Sequence, residues 1–198
     1  MMLIEQTTVP STALPVAQFK DHLRLGTGFA DDGVQDAVLE TYLRAALSAI
    51  EARTGKILLE RDFAWSLTAW RDLGAQVLPV APVSAITALK ITDRLGVETT
   101  IDTARYRLEP DTHRPRLVAT SLVLPTIPVA GSAEIDFTAG YGPAWSDIPA
   151  DLGQAAFLLS AHYYDHRSET GIDAQAVPFG VNALLERYRQ VRLFGGRG

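Results

Sequence analysis

The chain has 198 residues, 47% of them hydrophobic and 21% charged, with a formal net charge of −5 and no cysteine. Its length suits one medium domain or a core with a substantial insertion, and the lack of cysteine excludes disulfides, thiolate catalysis and cysteine-based metal sites. No apolar run is long enough to cross a bilayer, and residues 1–15 have neither the basic start nor the apolar stretch of a secretory signal, which points to the cytoplasm as the place of synthesis.

The charge is unevenly placed. Residues 1–56 carry 5 basic and 7 acidic side chains (−2), residues 57–179 carry 9 and 15 (−6), and residues 180–198 carry 4 and 1 (+3). An acidic body with a short basic tail lacks the broad basic face of a dedicated DNA binder. The tail itself suits nucleic acid or an acidic protein surface.

In chain order, Pro15 to Leu25 reads as a short helix with Val16, Phe19 and Leu23 on one face, ended by Gly26 and Gly28. Asp31 and Asp32 are N-cap candidates for a longer helix running to about Arg53. Its apolar stripe is Leu39, Leu43, Ala46, Leu47 and Ile50, Glu40 and Arg44 form an i,i+4 pair, and Gly55 is placed as the C-terminal cap. After Lys56 the period becomes alternating. Phe63, Trp65 and Leu67 mark a strand with one buried face. Further strands are predicted near 85–92, 97–101, 106–109, 116–119 and 133–139, with prolines between them, suggesting a small sheet or sandwich. Pro149 and Asp151 open a second long helix to about Arg167, with Leu152, Ala155, Ala156, Leu159 and Tyr163 on one face. Residues 168–178 read as a loop, and Leu184, Leu185 and Tyr188 return to helical spacing.

Several features resemble chemical sites. His162 and His166 in HYYDH have zinc-ligand spacing. However, Tyr163 stands where a zinc protease needs its glutamate base, and no third ligand is evident. The stretch AGYGPAW lacks the lysine and hydroxyl of a phosphate loop, so Gly140 and Gly142 read as a turn. Trp65, Trp70, Tyr141 and Trp145 are aromatic but are not interleaved with basic residues, as a base-stacking surface would be. No catalytic residue, cofactor site or metal site is assigned. The segment RYRQVRLF sets Arg187, Arg189 and Arg192 among Tyr188, Val191, Leu193 and Phe194. Such a tail is either a last helix folded back on the body or an arm whose apolar residues bury in a partner.

Four stretches, in order, resemble the head–tail connector (adaptor) family of long-tailed phages in its long form with a β insertion. They are PVAQFKDHLRL with the helix ending at Thr54 and Gly55; PVSAITALKITDRLGVETTIDTARYRLEPD; IDFTAGYG leading into IPADLGQAAFLLSAHYYDHRSE; and VPFGVNALLERYRQVRLF, with Leu184, Leu185, Tyr188 and Arg189 as its core. The chain is similar also to the adaptors of gene transfer agents, phage-like particles made by some bacteria.

The resemblance implies an α+β fold: a small α-helical bundle (14–56 and 146–179), an inserted β-sheet domain (57–145) and a C-terminal extended arm (180–198). It implies a non-enzymatic structural protein of the particle neck, forming a ring of twelve on the portal protein. A stopper or tail-terminator protein would sit on the other face, and DNA would pass through the channel without sequence-specific binding. Membrane contact is not expected. The portal-binding arm would be Leu184, Leu185, Arg187, Tyr188, Arg189, Val191, Arg192, Leu193 and Phe194. The alternatives are a metal-dependent hydrolase using the His162/His166 helix, and a DNA-binding protein using the basic tail.

Overall fold

In the computed structural model, residues 1–25, 35–167 and 177–189 are described. The fold is mixed α+β, with four α-helices and two antiparallel sheets among these residues. The chain divides into two compact units, one formed by residues 1–10 and 57–147, the other by residues 11–56 and 148–198.

The first unit holds all eight strands: β1 (Met2–Glu5), β2 (Arg61–Leu67), β3 (Ala75–Val77), β4 (Val83–Thr92), β5 (Glu98–Thr100), β6 (Tyr106–Glu109), β7 (Arg116–Ala119) and β8 (Ser132–Ala139). The larger sheet has the order β1-β2-β8-β4-β5 and the smaller one β3-β7-β6. Along β8 every second residue is buried, as a half-buried strand requires. Phe63 stands directly opposite Phe137 and Trp65 opposite Ile135. The two phenyl rings stack at 5.7 Å, the kind of cross-strand pair that stabilises a sheet. Leu117 and Tyr106 of the smaller sheet join the same core as Leu89, Ile135 and Phe137 of the larger one.

Two strands escape the sequence pattern. β1 has every residue exposed, and β3 is only three residues long, so neither shows a clear alternation. β4 begins two residues earlier than its period suggests. Its register slips between Val83 and Ala85 and again between Ile86 and Ala88, and such bulges scramble the alternation until Leu89.

The second unit contains α1 (Val16–His22), α2 (Asp36–Thr54), α3 (Ala150–Asp165) and α4 (Phe179–Leu185). The α2 stripe Leu39, Leu43, Ala46, Leu47 and Ile50 is buried throughout. α2 ends at Gly55, whose φ of 67° is the left-handed conformation of a C-terminal cap, and its N–H bonds to the Glu51 carbonyl at 2.8 Å. The residue at the N-cap of α2 is Gln35, which makes no side-chain capping bond. Asp31 and Asp32, Gly26 and Gly28, and most of the loop expected over 168–178 lie outside the described residues. α1 packs on α2, with Phe19 buried and Lys20 paired to Asp36. α3 packs on α2, with Tyr164 set edge-on to Tyr42 at 6.0 Å.

Phe137 is fully buried, so Phe137→Ala should lower the stability of the β unit by roughly 3–5 kcal/mol, read from its urea unfolding midpoint. On α2, hydrogen bonds from Arg44 and then Ser11 hold the Glu40 carboxyl below its ordinary range. A depressed carboxylate contributes stability that is present above its unfolded pKa and is lost as pH falls through the folded value. Glu40→Gln should therefore flatten the acid end of the stability-versus-pH curve while leaving its slope near neutrality unchanged.

Candidate functional site: the C-terminal helix and its seat

Pro178 sets the entry to α4, and its carbonyl accepts the Asn182 N–H at 3.1 Å. Val181, Leu185 and Tyr188 fall four and three residues apart, so they share one helical face, and all three are buried. A short turn of 3-10 helix over Glu186–Tyr188 continues the coil long enough to bring Tyr188 into that line. α4 lies on α3.

Asp151, in the first turn of α3, receives this segment. The Tyr188 hydroxyl donates to Asp151 Oδ1 at 2.7 Å. The Arg187 guanidinium stands 3.3 Å from Asp151 Oδ2 and covers the Tyr188 ring at 4.8 Å from its centroid. The partial positive charge at the helix N-terminus favours the carboxylate at this place. Arg187 is largely exposed, so its ion pair is worth little, whereas the half-buried Tyr188–Asp151 bond carries more.

The two readings left open for residues 180–198 are thus distinguished over part of their length. Through Arg189 the segment is a helix and turn seated on the chain's own helical unit, not an extended arm. Leu185 and Tyr188 are occupied in that seat, and Leu184 is half-buried, while Arg187 and Arg189 reach solvent. Arg189 pairs with Glu186 at 3.5 Å. Val191, Arg192, Leu193 and Phe194 lie outside the described residues. The feature that sequence reading missed is the role of Asp151 as acceptor. It reads there only as a complement to the helix dipole, and a contact 37 positions away has no local signature.

Among the described residues, the histidine helix brings two rings together. His162 and His166 have ring centroids 4.2 Å apart. His166 Nδ1 lies 2.9 Å from the His162 carbonyl, which can only accept, so that nitrogen carries the proton. His22 stacks instead on Phe157, and His113 sits in the β unit with its backbone N–H on Asp111. Among the described residues no group of three or more metal-ligating side chains converges. Burial raises the Tyr163 phenol above its ordinary range, with Arg53 opposing, so Tyr163 is a neutral hydroxyl rather than a base.

The glycine stretch is a close approach of backbone to backbone. Gly140 has φ of 138°, and a Cβ there would collide with the main chain at Leu59 and Glu60. Its N–H is taken by the Pro82 carbonyl and that of Tyr141 by Leu58, so neither is free to cradle a phosphate. Trp65 is buried in the β core, and Trp70 donates its indole N–H to the Pro125 carbonyl at 2.7 Å.

No family model matches the chain, and no curated protein does so. Solved structures do. A chain of the neck of an empty gene transfer agent particle, computed with C6 symmetry, is 57% identical with a TM-score of 0.90. A chain of the virion of a native gene transfer agent particle is 57% identical with a TM-score of 0.88. A chain of the neck of a native particle, computed with C12 symmetry, is 52% identical with a TM-score of 0.86. In all three, 100% of this chain and 100% of the other are covered. A likeness of this extent defines the class as a subunit of phage-like particles. The chain belongs to the family of gene transfer agent neck proteins.

Tyr188→Phe removes one charge-assisted hydrogen bond and leaves the packing in place. It should cost about 1.5 kcal/mol and raise amide exchange over Val181–Tyr188 more than elsewhere in the helical unit, as measured by hydrogen–deuterium exchange.

Proposed function

We propose that the chain is the adaptor subunit of a gene transfer agent neck, a structural protein without catalytic turnover. Twelve copies form a ring seated on the portal protein, and a stopper or tail-terminator protein meets the opposite face. The observation that carries this reading is full-length identity of 52% to a chain of a neck with C12 symmetry. The charge supports it. A chain at −5 lining or surrounding a channel repels phosphate, so DNA passes without the counterion release that makes it stick.

The portal contact is assigned to the C-terminal segment: Leu184, Arg187 and Arg189 on the exposed side of the seated helix, with Val191, Arg192, Leu193 and Phe194 beyond it. Leu185 and Tyr188 act through the seat, holding this segment in place. The supporting features are its basic charge of +3 and its apolar residues.

The test is co-sedimentation with the portal ring of the same particle. Because Val181, Leu185 and Tyr188 belong to the helical core, the informative truncation falls after Arg189, not before Val181. The full chain is expected to sediment with the portal, and the chain ending at Arg189 is expected to stay folded and remain in the supernatant. Sedimentation of the truncated chain would move the contact off residues 190–198. Failure of the full chain would remove the portal as partner.

A further inference from the structure

The larger sheet has two outer strands, β1 and β5; β1 exposes apolar side chains itself, and the turn that leads into β5 does so beside it. Among the described residues β1 pairs only with β2, in the register Met2↔Ser66 to Glu5↔Phe63. Its residues Met2, Leu3 and Ile4 are 59%, 37% and 41% exposed, so apolar atoms face solvent on both sides of the strand. Edge strands are ordinarily blunted by lysine, proline, a bulge or an inward charge. None of these occurs from Met2 to Ile4, and Glu5 is turned to Arg61 of its own unit at 3.2 Å.

The opposite edge is the β4–β5 hairpin. Asp93 closes its turn: its carboxylate accepts the N–H of Leu95 at 2.8 Å and of Val97 at 2.9 Å, and its own N–H bonds to the Val97 carbonyl at 3.0 Å. The turn therefore displays Leu95 and Val97 in a fixed place, 78% and 58% exposed. Two large apolar side chains held together at the tip of this hairpin make a surface that a partner can cover.

We propose that β1 of one subunit docks on the β4–β5 hairpin of the next copy. This rests on the ring reading above. A rotationally symmetric ring needs two different surfaces on each subunit, one meeting the other on its neighbour. The two outer strands of one sheet meet that need. Each is used once per subunit, and closing the ring leaves neither edge open. The occupant is a second copy, since relatives of this chain come from necks computed with C6 and C12 symmetry.

The chain has no cysteine, so the introduced thiols are the only ones it contributes. Leu3→Cys and Val97→Cys are placed singly and together in the full chain, bound to the portal ring and treated with a short bismaleimide. The double variant is expected to give a ladder of dimers and higher oligomers, and each single variant to stay monomeric. A double variant that sediments with the portal yet remains monomeric overturns the contact while leaving the adaptor reading intact. Dimers from Leu3→Cys alone overturn it in favour of two β1 edges meeting each other. A wild-type chain that does not sediment with the portal removes the ring reading and this contact with it.

A second variant needs no crosslinking. Leu95→Asp, at a site 78% exposed in the hairpin turn, should leave the thermal unfolding curve of the free chain unchanged and reduce the subunits retained per portal about tenfold. Retention equal to wild type overturns the proposal.

Discussion

Packing along α3 is the constraint on which the helical unit depends. Its buried face contains Leu152, Gly153, Ala155, Ala156 and Leu159, so small side chains alternate with leucines and neighbouring backbones can come close. α2 lies on one part of this surface and α4 on another, and α1 packs on α2 while its Phe19 and His22 stack on Phe157 of α3. α1 and α4 have only seven residues each, too few to be stable alone in water. Each holds its form because a neighbour covers its apolar stripe. A single polar substitution at Ala155 or Ala156 would disturb the support of the whole unit, whereas α1 or α4 could be weakened separately.

Where periodicity is strong, the elements were legible from the residues alone. The stripe of α2, the Glu40–Arg44 pair, the Gly55 cap and the alternation of β2 and β8 all follow from side-chain types at fixed spacing. Legibility fails where a contact is remote or an element is short. β1 is a strand only because β2 offers it an edge more than fifty residues later, and its own residues show no buried face. The seat of the C-terminal helix is of the same kind. The spacing of Leu185 and Tyr188 signals a helix, but only the tertiary fold shows that Asp151 receives it.

Two of the candidate features in the sequence have a geometric account in the fold. His162 and His166 are brought together by one turn of helix, as any i,i+4 pair is, and a metal site needs further ligands from elsewhere in the fold. Gly140 is required by the backbone it touches, not by a ligand. Read with the family, the informative features are surfaces: a basic C-terminal segment held in a defined seat, and a sheet with two open edges. A subunit that works by fitting between neighbours would concentrate its specificity in such places rather than in a pocket.

The seat at Asp151 also sets an order in time. The β unit draws on nothing beyond Asp147, so it has all its residues while the ribosome is still making α3. The helical unit must wait for Tyr188, because Val181, Leu185 and Tyr188 close its core. Units fold as they emerge, so a nascent chain passes through a stage with a finished sheet and an open helical half. During that stage the surface of α3 that will hold α4 is uncovered, while Met2, Leu3 and Ile4 of β1 are already set on the edge of the sheet.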